Sequence, residues 1–137
     1  MASKGANPSP PKYLMRYISW NCRGLGSTLK EEAMKDLVRI HNPEILLVQE
    51  TKMEEAAILQ DGKKFWKKCP GIANNSRGAS GGIATFWDST LYDIVAEECA
   101  LHWVFTKLIH KLSGRTVSIF NLYVPVLHSE KKIVGLL

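Results

Sequence analysis

Residues 45–50 read Ile-Leu-Leu-Val-Gln-Glu. Four aliphatic residues follow one another without polar alternation, which predicts a strand covered on both faces. The chain then turns polar at once, through Gln49, Glu50, Thr51 and Lys52. A glutamate there is either a strand leaving its core or a carboxylate held at the rim of a sheet for chemistry.

What precedes this strand narrows the choice. "YLMRYISW" is rich in aromatic and branched residues and predicts a strand ending near Trp20. "NCRGLGS" reads as a loop. Thr28-x-x-Glu31 fits a capping box with Thr28 as the cap. Leu29, Ala33, Leu37 and Ile40 recur at helical spacing, so the pattern predicts an amphipathic helix over 29–41. Asn42-Pro43 stops it, because the residue before a proline avoids helical backbone. Strand, helix and strand within about thirty residues predict a right-handed parallel crossover.

Downstream, the pattern predicts a helix over 53–66 and a polar, glycine-rich loop at "PGIANNSRGASGG". It predicts a strand at "GIATFWD" and two more at "HWVFTKLIHKL" and "RTVSIFNLYVP". Ser113-Gly114 supplies the hairpin turn between those two. The final "SEKKIVGLL" predicts the first turns of a helix opening at Ser129. Residues 1–13 are rich in Pro, Ser and Gly and are expected to be a flexible tail before a single domain over 14–137.

At 137 residues and 45% hydrophobic content, one domain with a real core is within reach. The longest aliphatic run is too short to span a bilayer, and no apolar signal core follows Met1, so no membrane partner is expected and the chain reads as intracellular. Cys22, Cys69 and Cys99 are odd in number and widely spaced, which predicts reduced, buried thiols rather than disulfides or a zinc knuckle. A formal charge of +5 favours polyanions mildly. Lys63, Lys64, Lys67 and Lys68, around Phe65, Trp66 and Cys69, read as a solvated face.

In a parallel crossover the C-terminal ends of both strands share one edge of the sheet, where open α/β sheets place ligands. Asn21 and Glu50 should therefore approach each other. A carboxylate beside a neutral amide can bind a hard cation such as Mg²⁺, the amide serving as ligand or as orienting partner. The structural alternatives are a turn-forming Asn21 and a strand-exit Glu50. "RGLGSTLK" imitates a dinucleotide-binding turn, but Leu29 stands where the third glycine belongs, so no small-molecule cofactor is expected.

Three segments now stand in order: "ISWNCRGLG", "EILLVQETK" and "SIFNLYVP", with "GGIATFW" between the last two. Together they resemble the endonuclease/exonuclease/phosphatase superfamily of Mg²⁺-dependent phosphodiesterases. The wording is most similar to the endonuclease domain of plant LINE-type (non-LTR) retrotransposons. The resemblance covers roughly residues 14–137. It implies the α/β class, as the N-terminal half of a two-sheet α/β sandwich.

It also implies roles. Asn21 matches the asparagine at the metal and phosphate. Glu50 matches the metal-binding glutamate of the Gln-Glu-Thr motif. Tyr123 matches the tyrosine of the Tyr-x-Pro motif, which contacts the scissile phosphate. The implied metal is Mg²⁺ or Mn²⁺, the implied partner DNA and the implied location nuclear. Two positions depart from the pattern: Arg23 stands where apurinic enzymes carry an acid, and Val126 follows Pro125 where those enzymes often carry asparagine. Arg23 can instead meet a phosphate oxygen.

The family's second half supplies an Asp-x-Asn motif and a late Asp-His pair, and neither occurs in this sequence. His41, His102, His110 and His128 read as surface or strand residues rather than a general base. Metal-assisted hydrolysis needs a Lewis acid on the phosphate, a base for water and stabilisation of the leaving oxygen. A positioned base contributes roughly 10²–10⁴-fold. The expectation is a truncated, inactive endonuclease domain, with a non-catalytic nucleic-acid-binding module as the alternative. With the partner sheet missing, one face of the first sheet should be exposed and apolar, favouring self-association.

Overall fold

The computed structural model describes residues 14–66, 69–74, 81–123 and 132–136. In chain order these form β1 (Arg16–Asn21), α1 (Thr28–His41), β2 (Ile45–Gln49), α2 (Glu55–Phe65), β3 (Gly71–Ala73), β4 (Ile83–Trp87), β5 (Tyr92–Cys99), β6 (Trp103–His110), β7 (Thr116–Leu122) and β8 (Lys132–Leu136). One sheet runs β3-β4-β2-β1-β8 and the other β5-β6-β7. The expected tail and Ser129 lie outside the described residues.

The crossover forms as its pattern predicts. β1 and β2 are parallel, with Tyr17 opposite Ile45 and Asn21 opposite Gln49. β2 is the central strand of its sheet, between β1 and β4. The cap of α1 is one residue early: Ser27, not Thr28, accepts from the Lys30 N–H at 3.2 Å. Either hydroxyl can serve there, and the capping-box spacing, which favours Thr28 through Glu31, pointed to the wrong one. The buried face also turns. Leu29 and Ile40 are exposed, while Met34 is fully buried with Ala33, Leu37 and Val38 packed beside it. Asn42 closes the helix in left-handed backbone, its N–H donating to the Val38 carbonyl at 2.9 Å.

Three elements correct the expectation. Residues 71–73 of the glycine-rich segment form strand β3. β5 is a full strand of eight residues. The C-terminal segment is strand β8, antiparallel to β1, with Arg16 opposite Leu136, rather than a helix. A short apolar run does not separate helix from strand by periodicity; the open edge of β1 decides.

The helices and the second sheet cover opposite faces of the central sheet. On one face Ile18, Trp20, Leu46, Val48 and Phe86 pack with Met34 of α1 and Ile58 of α2. On the other, Ile45, Ile83 and Trp87 pack against Tyr92, Val104, Leu108 and Ile119 of β5–β7. Every residue of β4 is buried. The expected bare face of the first sheet is therefore covered, because "GIATFW" and "SIFNLYV" belong to different sheets that face each other. Apolar exposure falls instead on the outer face of β5–β7. There Phe120 packs against Trp103 and Phe105, with ring centroids 6.0 and 4.8 Å apart, and remains 58% exposed. The β6–β7 turn lies where expected, with Gly114 at φ +72°. Cys22 and Cys69 are buried free thiols, while Cys99 is exposed, contrary to expectation.

Candidate active site

Alternation along β2 sends Leu46 and Val48 to the helix side, and Ile45, Leu47 and Gln49 to the inter-sheet side. Strict continuation would send residue 50 to the helices. It does not continue: Glu50 has φ +54°, and Arg23 and Lys52 are likewise left-handed at +54° and +55°. Such backbone in a non-glycine residue costs roughly 1–3 kcal/mol and persists only where its surroundings fix it.

The surroundings here are two loops. Beyond β1, the Cys22, Gly24 and Leu25 amides donate to the Gln49, Glu50 and Thr51 carbonyls at 3.1, 2.6 and 3.0 Å. Before β4, the Gly82 and Gly81 carbonyls accept from the Thr51 and Lys52 amides at 3.0 and 2.9 Å. The Cys22 thiol adds contacts to the Gln49 and Glu50 carbonyls at 3.5 and 3.6 Å. The turn that resembled a dinucleotide loop thus spends its Gly24 and Leu25 amides on residues 50–51 rather than holding them ready for a pyrophosphate.

Tyr123 follows β7 on the inter-sheet side and packs at the edge of that core, near enough to Glu50 for the carboxylate's charge to act on its phenol. Its amide donates to the His102 carbonyl at 2.9 Å, which ties it to the start of β6. Burial raises the Tyr123 phenol above its ordinary range, and the Glu50 charge raises it further. Glu50 and Tyr123 thus lie near each other, and Asn21 stands opposite Gln49, the neighbour of Glu50, across the β1–β2 register.

The fit to a divalent cation rests on Asn21. Its Oδ1 is buried and has no hydrogen-bond partner among the described residues. An amide oxygen left so, beside a carboxylate, matches the oxygen donors a hard cation takes. Among the described residues no group of three His, Cys, Asp or Glu gathers to hold a metal. Glu50 and Asn21 therefore fit an ion that keeps most of its water, as Mg²⁺ does.

Basic residues lie on the loops that flank Glu50 in sequence and in the backbone hydrogen-bond pattern. Arg23 and Lys52 are exposed, and the Lys52 chain lies along Gly24, where an added Cβ would meet its Cδ at 3.5 Å. The Lys30 ammonium donates to the Cys22 carbonyl at 2.6 Å and sits over the Trp20 ring, 5.5 Å from its centroid. Of the described histidines, His41 ends α1, and His102 meets Tyr123 through its backbone. His110 closes the far end of β6, bonded to Ser113 at 2.9 Å and edge-on to Tyr92. His128, Lys67, Lys68, Pro125 and Val126 lie outside the described residues. Lys64 pairs with Asp61 at 3.1 Å on the surface, as a solvated face would.

Sequence reading missed two residues. Gln49 donates through Nε2 to Asn121 Oδ1 at 2.7 Å and to Ser19 Oγ at 3.2 Å. Asn121 donates through Nδ2 to the Ala84 carbonyl at 2.9 Å and to Thr85 Oγ1 at 3.1 Å. The only sequence signal was polarity on the inward side of two strands.

A two-sheet α/β sandwich with polar strand ends meeting at one edge defines a class of fold. The profile of the "Endonuclease/Exonuclease/phosphatase family" matches residues 18–131, and the chain belongs to that family. Similar solved structures include an AP endonuclease from Leishmania major, with TM-score 0.63 and 18% identity over 82% of this chain and 40% of that one. An endonuclease/exonuclease/phosphatase from Bacteroides vulgatus gives TM-score 0.63 and 15% identity over 80% and 52%. TDP2 of D. rerio, complexed with a single-strand DNA product, gives 0.61 and 15% over 80% and 45%. The chain thus spans about 40–52% of the length of these structures. No curated protein sequence matches it.

Proposed function

We propose that this chain carries the metal- and phosphate-facing part of a DNA phosphodiesterase site, of the kind found in plant LINE-type retroelement endonucleases. The observation that supports the reading is that Asn21 and Glu50 end neighbouring strands of one sheet, the buried Asn21 Oδ1 having no hydrogen-bond partner among the described residues, while Tyr123 leaves the facing sheet near Glu50. Glu50 and Asn21 would hold Mg²⁺ or Mn²⁺, whose chemistry is Lewis-acid polarisation of a phosphoryl oxygen. Tyr123 donates a hydrogen bond where the phosphate would sit. Arg23 and Lys52 supply the positive rim that a polyanion favours. The DNA bound by the D. rerio TDP2 relative and by a Neisseria 3′ phosphatase relative supports DNA as the substrate class.

The chain by itself is proposed not to turn over. Nothing at the cleft among the described residues takes a proton from an attacking water. The basic rim leaves a second reading open, a nucleic-acid-binding module without catalysis. Self-association is expected through the outer face of β5–β7.

A supercoiled-plasmid nicking assay with Mg²⁺ or Mn²⁺ tests this. It compares the chain, the chain fused after Leu137 to the second half of a related domain, and that fusion carrying Glu50→Ala. The expected result is nicking by the unsubstituted fusion alone. Nicking by the chain, or by the Glu50→Ala fusion, overturns the proposal. DNA affinity with a steep salt dependence, and no nicking by any form, favours the binding module.

A further inference from the structure

We infer that Gln49 and Asn121 are positioning residues: their buried amide pair, joining the two sheets, holds Tyr123 against Glu50. The purpose rests on the phosphodiesterase reading; the geometry does not. Asn121 is 1% exposed and Gln49 8%, in the layer between the sheets. The Gln49 Nε2–Asn121 Oδ1 bond at 2.7 Å is a direct side-chain bond between the central sheet and β7.

Each partner is adjacent to a site residue. Gln49 precedes Glu50, and Asn121 lies two residues before Tyr123 on the same face of β7. The amide pair therefore sits inward of Glu50 and Tyr123 along the two strands, and a slide of one sheet over the other would separate both pairs together. Apolar packing does not resist such a slide directionally, because it depends on area rather than angle. A short hydrogen bond does.

The remaining polar groups make the clamp specific. Gln49 Nε2 also reaches Ser19 on β1, and Asn121 Nδ2 reaches the Ala84 carbonyl and Thr85 Oγ1 on β4. Asn121 is thus gripped by β2 and β4 at once, and Gln49 by β1 and β7. Stability alone does not call for this arrangement. A matched pair of apolar side chains of the same shape can replace buried hydrogen-bonding partners at little or no loss. What the apolar pair lacks is aim.

Fluorine NMR of the whole chain labelled with 3-fluorotyrosine tests the inference. Four tyrosines report, and Tyr123→Phe assigns the one that matters. Glu50→Gln gives the resonance position of a Tyr123 uncoupled from the carboxylate. The test variant is Gln49→Met with Asn121→Leu, which removes both amides at nearly constant volume. The expected result is unmoved Tyr17 and Tyr92 resonances, with the Tyr123 resonance shifted to its Glu50→Gln position. A Tyr123 resonance that stays at its original position in the folded double variant overturns the inference. Should the double variant not fold, Gln49→Met alone leaves the bonds of Asn121 to β4 intact and is judged by the same criterion. Collapse of both variants also overturns it, since the pair would then hold the fold rather than aim Tyr123. The plasmid assay separates this from the function. A fusion that fails to nick while Tyr123 shifts as expected sinks the phosphodiesterase reading alone. A fusion that nicks while Tyr123 stays in place sinks the positioning role alone.

Discussion

Glu50 and Tyr123 leave different sheets and still come close enough for the carboxylate's charge to act on the phenol. Glu50 would face the helices if β2 continued its alternation. The left-handed turn at φ +54° breaks that alternation, and the loops from Cys22 to Leu25 and at Gly81–Gly82 hold the turn in place. Local backbone strain thus brings together elements far apart in sequence. The strain stands at the position where the family resemblance places a metal ligand, as strained backbone often does.

The buried acids Tyr92 and Cys69 make stability fall at alkaline pH. Burial raises both, with the Glu44 hydrogen bond and charge adding to Tyr92, and the Asp88 charge adding to Cys69. A raised folded pKa means that the folded state keeps its proton while the unfolded state loses it. The contribution is whole below the unfolded values, about 8.5 for a thiol and 10 for a phenol, and is lost as pH rises past them. Urea midpoints measured from pH 8 to 10.5 should decline. Cys69→Ala with Tyr92→Phe should flatten that decline even if it lowers the midpoint at pH 8. An unchanged slope in the double variant would remove these groups as the cause.

Gly62 lies within α2, where Ala is ordinarily better by about 1 kcal/mol. The sign should reverse in this helix. A Cβ at residue 62 would stand 2.5 Å from Cε1 of Phe86, and one at Gly71 would stand 2.6 Å from its Cδ1. Phe86 is 1% exposed, so its ring has little room to yield. Overpacking of this kind costs about 1–3 kcal/mol, which exceeds the gain in helix propensity. Gly62→Ala should therefore lower the urea midpoint, and Phe86→Leu in the same chain should recover part of the loss. A stabilised Gly62→Ala would show that the ring moves freely.

The β1–α1–β2 crossover was legible because its signals agree: strand residues, helical spacing, a proline stop and an unbroken apolar run. β5 was not, because Tyr92 is its one buried residue and the seven that follow are exposed, leaving no alternation to read. The adjacency of Asn21 to the end of β2 was legible from strand polarity and parallel topology. Tyr123 entered as a candidate only through the Tyr-x-Pro resemblance. The Gln49–Asn121 pair was invisible, since its members are 72 positions apart and each looks like a polar strand residue on its own. Sheet-on-sheet packing, which sets that pair, is also what the expected bare face of the first sheet left out.

Phe120 and Leu122 are 58% and 59% exposed on the outer face of β7, next to Trp103 and Phe105. A contiguous aromatic patch of this kind favours association. Sedimentation velocity of the purified chain should show concentration-dependent oligomers. Phe120→Ser with Leu122→Ser should shift the distribution toward monomer without touching the inter-sheet core, because both side chains point outward. A wild-type chain that remains monomeric at high concentration would exclude this face as an associating surface.

Arg23 offers the sharpest test of the cation site. The Gly24 amide is bonded to the Glu50 carbonyl, so the backbone of residue 23 runs next to that of Glu50. A guanidinium there repels a divalent ion, whereas the apurinic enzymes that the sequence resembles carry an acid at this point. Replacing it by aspartate changes the local charge by two units against an ion of charge two. Even in water-like dielectric, at a separation of about 6–8 Å, that amounts to roughly 2–3 kcal/mol, or more than tenfold in affinity. Screening by salt reduces the effect, so the measurement belongs at low ionic strength. Mn²⁺ binding followed by water-proton relaxation should be weak in the unsubstituted chain. It should tighten by on the order of tenfold in Arg23→Asp. It should be lost in Arg23→Asp with Glu50→Gln, and weakened in Arg23→Asp with Asn21→Leu, which removes the amide oxygen. Tightening that survives Glu50→Gln would place the ion elsewhere, and no tightening at all would mean that residue 23 does not face the site.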